Sequence, residues 1–344
     1  MKVQELINFI PKEDLEVFAS ETKVDYQVKK LNGSTMFQLL LFSLLHHQKA
    51  SLRIMEKLYS SMRFRMLSGI GEDTTRYNSI RDRVATMNPD FFEKIFYSLF
   101  DNFNKLFKEE DKLIRYDSTM ISLSSNLLQW GMKSNNKQSN KSQIKYTIAT
   151  KGSFPCYVKI FSEQKAFSED IALSNTILEN EVSKTGVIVF DRGIQSRKTY
   201  KKLTDENIVF VTRARTDIVY QLVKKLKIPK NLKSGELLVD CAMLINLKKD
   251  RNNWCDRQYR LIKAYKKNGN CIYFLTNDLS MEHVEICELY KKRWEIEVFF
   301  KFLKQHLNLK HLLTRNKNGI KVMVYMTLIL SILLIAYKKI KGLN

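Results

Sequence analysis

Apolar residues recur at helical spacing through the first third of the chain and at strand spacing beyond it. "TMFQLLLFSLLHHQ" predicts one apolar helix opened by Ser34 or Thr35. "SLRIMEKLYSSM" predicts a second with Ser51 as N-cap. "NPDFFEKIFYSLFDNFNKLF" predicts a third, with Asn88 or Asp90 at its start beside a proline. Residues 1–109 therefore read as an all-α region. Within it, "TTRYNSIRDRVATM" is more polar and sets Arg76, Arg81 and Arg83 near Tyr77 and Asn78. It reads either as a solvated amphipathic helix or as the short basic helix that a helix-turn-helix-like DNA reader offers to a groove.

The period changes after residue 110. "KLIRYDSTMISLS" alternates and is β-rich, a strand that ends or pauses at Asp117. A polar loop, "SNNKQSNKS", covers residues 134–142, and "QIKYTIAT" and "CYVKIFSE" form a hairpin across "KGSFP". "SEDIALSNTILENEVSK" is a helix with a capping-box start at Ser168, and "GVIVFDRG" is a buried strand ending in a turn at Asp191. The helix "SRKTYKKLTDE" and the strand "NIVFVTRAR" follow. This order predicts an α/β fold with a mixed sheet over residues 110–214. Residues 215–277 turn β-rich and irregular, an insertion expected to form its own small sheet.

Residues 278–344 predict one long helix, N-capped by Ser280 and running through "ELYKKRWEIEVFFKFLKQHL", and then C-terminal helices. "VMVYMTLILSILLIAY", residues 322–337, is apolar but short of the roughly 20 residues a membrane span needs. It carries Tyr325, Thr327 and Ser331 and is followed by Lys338, Lys339 and Lys341, so it reads as a buried core helix.

Composition changes this picture in one respect. Hydrophobic content of 44% and charged content of 27% are those of a globular protein, but 58 Lys+Arg against 36 Asp+Glu leave a net charge of +22. Such a surplus attracts a polyanion, and nucleic acid is the commonest. From Lys291 onward there are 12 Lys+Arg against 2 Glu, which directs that face toward DNA rather than a membrane. The five cysteines include no C-x-x-C pair, so a zinc site is not indicated and a reducing compartment fits. Acids occupy the place of a signal peptide's apolar run, so the expected location is cytoplasmic.

The candidate chemistry lies in three acids. Asp117 and Asp191 end buried strands, where α/β sheets place ligands, although each alone also reads as a turn or cap residue. Glu297 is the one acid in a polar stripe with bases along an aromatic helix. At about 100° per residue, Tyr290, Arg293, Glu297 and Lys304 fall within an arc of about 60° along the edge of its apolar stripe. Arg293 and Glu297 are also spaced for an ordinary i,i+4 ion pair. Three carboxylates from two strands and a helix can hold two divalent cations about 4 Å apart for in-line phosphoryl transfer, with Arg293 and Lys304 gripping phosphates.

Tyr290-x2-Arg293-x3-Glu297-x6-Lys304 matches without gaps the Y-x(2)-R-x(3)-E-x(6)-K signature of the IS-four group of bacterial DDE transposases. "YDST" at 116–119 resembles that family's first-aspartate strand, and "VFDRG" at 189–193 its second. The resemblance covers roughly residues 110–320 and departs from the family after the polar loop, where Lys-x-His is common and "IKYT" puts Tyr146.

This resemblance implies a ribonuclease-H-like catalytic core with a β-rich insertion, joined to a helical DNA-binding region. It implies Asp117, Asp191 and Glu297 as a triad holding two Mg²⁺ or Mn²⁺ ions. The expected activity is binding of the terminal inverted repeats of an insertion sequence, cleavage of its ends, and strand transfer into target DNA through hairpin ends. Tyr290, Arg293, Lys304 and Arg192 would contact the DNA, and Trp254 would stack on a flipped base. The expected partner is double-stranded DNA bridged by a homodimer, in a nucleoid-associated bacterial setting. Competing readings are a ribonuclease-H-like nuclease without strand transfer, an inactive domesticated DNA-binding protein, and a protein anchored in a membrane by residues 322–337.

Overall fold

The computed structural model describes residues 3–46, 50–108, 112–123, 131–133, 142–248, 253–307, 309, 313–314 and 316–343. Of the polar loop expected at 134–142, all but Ser142 lies outside these residues. Seven helices come first: α1 (Val3–Ile7), α2 (Lys12–Thr22), α3 (Gly33–His46), α4 (Leu52–Tyr59), α5 (Met62–Ser68), α6 (Tyr77–Thr86) and α7 (Asp90–Leu106). Ser51 caps α4, its hydroxyl accepting from the Ile54 amide at 3.3 Å. α3 begins earlier than expected, because the Asn32 side chain accepts from the Thr35 amide at 2.8 Å and takes the capping role from Ser34 and Thr35.

One arginine of the basic α6 is committed to the fold, whereas Arg81, and Arg76 just before the helix, remain largely exposed. Arg83 turns inward, donating to the Leu31 and Val24 carbonyls at 2.7 Å each and to Asp25 at 3.3 Å. Arg81 pairs with Asp82 and Arg76 with Glu56. Arg83 therefore ties α6 to the segment between α2 and α3 instead of facing a groove.

The strands are β1 (Leu113–Ser122), β2 (Met132–Lys133), β3 (Ser142–Lys151), β4 (Phe154–Phe161), β5 (Val187–Phe190), β6 (Val209–Ala214), β7 (Tyr220–Leu226), β8 (Lys233–Ser234), β9 (Leu237–Lys248), β10 (Trp254–Tyr265) and β11 (Cys271–Thr276). The remaining helices are α8 (Glu169–Glu179), α9 (Arg197–Asp205), α10 (His283–Lys291), α11 (Trp294–Gln305) and α12 (Lys317–Ile340). β4 pairs antiparallel with β3, β3 antiparallel with β1, β1 parallel with β5, and β5 parallel with β6. With α8 and α9 in the crossovers, this is a ribonuclease-H-like mixed sheet.

One expectation is overturned here. The insertion does not form a sheet of its own: β11 pairs antiparallel with β6, and β10, β9 and β7 follow in one continuous sheet of 11 strands. The free edge of β6, with backbone donors and acceptors open after a short parallel strand, is what β11 completes.

Alternation along the central strands divides the core. Ile114, Ile188 and Phe210 join the large cluster, which also takes in the N-terminal helices and α12. Leu113, Val189 and Val211 face the other way, onto Ile286 and Cys287 of α10. α12 is long and apolar enough to cross a membrane by length and composition, but 83% of its most apolar window is buried inside the fold. Two of its buried hydroxyls are satisfied locally: Thr327 donates to the Met323 carbonyl at 2.8 Å and Ser331 to that of Leu328 at 2.7 Å.

The expected long helix after Ser280 differs twice. It starts at His283, because the Asp278 carboxylate accepts from the Ser280 and Met281 amides at 2.7 and 2.9 Å and makes a turn there. It is also interrupted at Lys292 and Arg293, between α10 and α11.

Candidate active site

The register of two parallel strands builds the site. Arg115 of β1 lies opposite Val189 of β5. Asp117 and Asp191 each stand two residues further on and so reach the same level. Asp191 lies just past the end of β5 and Asp117 midway along β1, which runs on to Ser122 beside β3 instead of ending at the aspartate as expected. Neighbouring strands are about 4.8 Å apart. Both β5 and β6 end at this edge, and the Thr212 hydroxyl of β6 donates to the Asp191 carbonyl at 3.0 Å.

Each carboxylate is held locally. Asp117 accepts from the Ser118 amide at 2.8 Å, and Asp191 from the Gly193 amide at 2.8 Å. Burial pushes the Asp117 carboxyl up to about 7; the Ser118 amide opposes this, Asp191 adds to it, Arg293 opposes it and Glu169 adds to it. At neutral pH this carboxylate is poised between its two forms because a negative charge is poorly solvated there.

Glu297 sits on the first turn of α11, ion-paired with Arg293 one turn earlier. It shares a groove of ≈ 350 Å³ with Asp117, Ser118, Phe300 and Lys304. The Lys304 ammonium lies 5.5 Å over the Phe300 ring, the aromatic that anchors the helix beneath it. The side chain of Arg293 is 14% exposed, lies 5.7 Å over the Tyr290 ring, and has its Nε buried without a hydrogen-bond partner among the described residues. That orphan donor is suited to an oxygen from outside the chain.

The stripe drawn along one helix is not continuous. Because the helix breaks after Lys291, Tyr290 belongs to α10 and packs on Phe274 with ring centroids 5.4 Å apart. It lines a neighbouring cavity of ≈ 480 Å³ with Arg213, Lys266, Lys267 and Lys291. Burial raises its hydroxyl pKa, against the nearby Arg293 and Arg213 charges. Arg293 bridges the two hollows, one side on Tyr290 and the other on Glu297.

Arg192 is exposed on the turn after β5, beside Asp191. Trp254 is not brought to the others. The turn of the insertion that approaches Tyr290 carries Lys266 and Lys267, whereas Trp254 begins β10 and pairs with Lys248 at the opposite end of that long strand. It had been singled out by residue type, and strand direction carries it away.

Sequence reasoning missed Glu169. This first residue of α8 accepts from the Ser118 hydroxyl at 2.9 Å and pairs at 2.9 Å with Lys145, whose side chain is 2% exposed. A Cβ on Gly193 would come within 2.7 Å of the Glu169 Cβ and 2.8 Å of an Asp191 oxygen, so the turn after β5 closes onto Glu169 and requires glycine there. Lys145 holds this acid in place. No signal marked Glu169, because an acid in a helix's first turn is ordinary.

Among the described residues no three His, Cys, Asp or Glu side chains are gathered tightly enough to enclose a metal ion. The donors present are all carboxylate oxygens on an open groove, and the poorly solvated Asp117 charge is one that a cation would relieve. This suits Mg²⁺, which binds through one or two carboxylates and completes its shell with water and substrate phosphates.

A sequence model of the family described as "Transposase DDE domain" matches residues 108–333. Over 294 residues the chain is 26% identical to the Synechocystis sp. protein named "Putative transposase for insertion sequence element IS4SA", covering 82% of this chain and 78% of that protein. Over 141 residues it is 27% identical to "Putative transposase y4zB" of Sinorhizobium fredii, covering 41% of this chain and 39% of the relative. Over 218 residues it is 23% identical to "Probable transposase for insertion sequence element IS5377" of Geobacillus stearothermophilus, covering 63% and 54%. Two of these three matches thus span less than two thirds of the relative. A solved structure of piggyBac transposase in a synaptic complex with hairpin DNA aligns with 99% of this chain and 76% of that chain, at a TM-score of 0.47 and 13% identity.

Proposed function

The chain belongs to the transposase DDE domain family, and from that premise we propose that it is the DNA transposase of an insertion sequence, with Asp117, Asp191 and Glu297 as its catalytic acids. It binds the terminal inverted repeats of the element, cuts the ends and joins them to target DNA by a cut-and-paste route through hairpin ends. It works as a homodimer that bridges two ends. The observation that carries this reading is the β1–β5 register, which levels Asp117 of β1 with Asp191 just past the end of β5 while Glu297 faces Asp117 across one groove.

Asp117, Asp191 and Glu297 would hold two Mg²⁺ or Mn²⁺ ions. When bound, such ions supply an activated hydroxyl nucleophile and stabilise the leaving oxygen. The residues of the chain supply the rest. The Asp117 carboxyl, raised to about 7, gives up its proton readily at neutral pH when positive charge arrives. Arg293 orients Glu297 through their ion pair and offers its orphan Nε to a backbone phosphate. Lys304, on the wall of the same groove, grips a second phosphate, and Arg192 reaches DNA from the turn beside Asp191. Tyr290 and its cavity lie where a strand leaving the groove past Arg293 would pass. The net charge of +22 supports association with DNA from solution. Trp254 has no part in this reading.

The test is Glu297→Gln, which preserves shape and removes the charge. Mg²⁺-dependent nicking of DNA carrying the element's inverted repeats should fall by roughly 10³-fold or more, with end-DNA affinity nearly unchanged in a mobility-shift titration. Cleavage at the unmodified rate overturns the proposal.

A further inference from the structure

The break between α10 and α11 has no cause in its own sequence: "LYKKRWEIEV" contains neither glycine nor proline. The backbone at the junction remains helical in sense, with Lys292 at φ −66°, ψ −11° and Arg293 at φ −55°, ψ −32°. The hydrogen bonds tighten instead. Arg293 N donates to Tyr290 O at 3.0 Å, Glu295 N to Lys292 O at 3.1 Å, and Ile296 N to Arg293 O at 3.2 Å, all one residue short of α-helical spacing.

What enters the ladder there is Arg115 of β1. Its Nε donates to the Lys292 carbonyl at 3.1 Å, and its Nη2 meets the Glu295 carboxylate at 2.7 Å. Nη1 donates to the carbonyls of Leu113 and Gly152 at 3.4 Å each. The Arg115 side chain is 3% exposed, whereas that of Glu295 is 57% exposed. A side chain inserted into the i→i−4 ladder is one of the few established causes of a sharp helix bend. A planar guanidinium, charged at any working pH, can meet a carbonyl and a carboxylate together.

We propose that Arg115 is a positioning residue: it holds the bend between α10 and α11 and thereby sets Glu297 against Asp117. The linkage is short on both sides. Arg115 and Asp117 project from the same face of β1, two residues apart. Glu295 and Glu297 lie two residues apart on α11. One strand carries the clamp and an acid, and one helix carries the clamp's anion and the facing acid. A change at the clamp is therefore transmitted across two stiff elements to the groove. The same bend turns Tyr290 toward Phe274 and its own cavity, and so separates the two hollows that Arg293 bridges.

This inference rests on the proposed role of Glu297, and its test separates the two. Arg115→Met and Glu295→Gln are compared with the unmodified full chain by hydrogen exchange, by Mn²⁺ uptake from the loss of free-ion EPR signal, and by end cleavage across Mn²⁺ concentrations. In Arg115→Met, exchange at residues 292–298 should change tenfold or more while that of α12 does not. Mn²⁺ should bind at least tenfold more weakly, end-DNA affinity should be unchanged, and high Mn²⁺ should recover part of the cleavage. Glu295→Gln, at an exposed position that tolerates the change, should weaken Mn²⁺ binding about threefold, and Arg115→Lys should fall between the unmodified chain and Arg115→Met. Junction exchange within twofold of the unmodified chain in Arg115→Met, or Mn²⁺ binding unaltered in both Arg115→Met and Glu295→Gln, overturns the proposal. An unmodified chain that takes up no Mn²⁺, with the junction still altered in Arg115→Met, overturns the metal reading and leaves Arg115 as the holder of the bend.

Discussion

α12 and the α10–α11 segment are both long stretches in which apolar residues recur at helical spacing, and they fold differently. α12 runs for 24 residues without a break. It packs within the large apolar cluster, and its Thr327 and Ser331 hydroxyls bond back to its own carbonyls. The other segment is cut in two at Lys292 and Arg293, where Arg115 reaches in from the sheet. Periodicity describes a helix's own preference and its burial. Whether the helix stays whole depends on what faces it. An apolar partner gives no reason to break the ladder; a buried guanidinium that takes a ladder carbonyl as acceptor does.

The comparison is sharpened most by a packing change in each helix. Leu330 is 1% exposed in α12 and Val298 is 52% exposed on α11. Leu330→Ala should cost about 2–5 kcal/mol of stability, from lost burial and the remaining cavity. Val298→Ala should stay within about 0.5 kcal/mol. Chemical denaturation with matched m-values measures both. Equal losses would mean that the two helices bear on the core alike, and would break the contrast.

The same difference explains how much was legible in the sequence. The end of β5 was readable because it is a buried apolar run closed by an aspartate, whereas β1 runs through Asp117 to Ser122. Glu297 was readable because an acid in line with Arg293 and Lys304 on an aromatic helix stands out. The α/β order and the buried character of α12 were readable from period and length. The Asp117–Asp191 pairing was not, since register between parallel strands depends on tertiary packing. Arg115 was invisible because an arginine in an alternating strand reads as outward-facing. Glu169 read as a common first-turn acid, and the attachment of β11 to β6 left no local mark. Trp254 shows the opposite failure: a residue chosen for its chemistry and carried elsewhere by the direction of β10.

A smaller effect follows from the site that the broken segment borders. In the unfolded chain the Asp117 carboxyl titrates near 3.9, whereas in the fold burial lifts it to about 7. Its contribution to stability is fully present below about 4 and is lost as pH rises through about 7, because over that window the folded state binds the extra proton. Asp117→Asn should therefore stabilise the chelator-treated protein more at pH 8 than at pH 5 in chemical denaturation, by a difference on the order of 1–3 kcal/mol. An offset independent of pH would show that the groove solvates this charge, and the broken segment would then border no special site.

The smallest effect lies on the α12 side. The Tyr325 hydroxyl donates to Glu93 of α7 at 2.7 Å, one of several polar contacts that pin this continuous helix to the N-terminal bundle. Burial raises the Tyr325 pKa, and the Glu93 carboxylate raises it further, so the phenol stays protonated and remains a donor throughout the usable pH range. Tyr325→Phe keeps the ring packed near Phe96, with centroids now 6.0 Å apart, and leaves Glu93 to find water at the edge of the interface. The expected cost is about 1 kcal/mol, with Mn²⁺ uptake unaltered and exchange at the α10–α11 junction unaltered. Both helices touch the shared core, so a variant of α12 that did change metal uptake would mean that the core couples them. In that case the bend would answer to the whole packing and not to Arg115 alone.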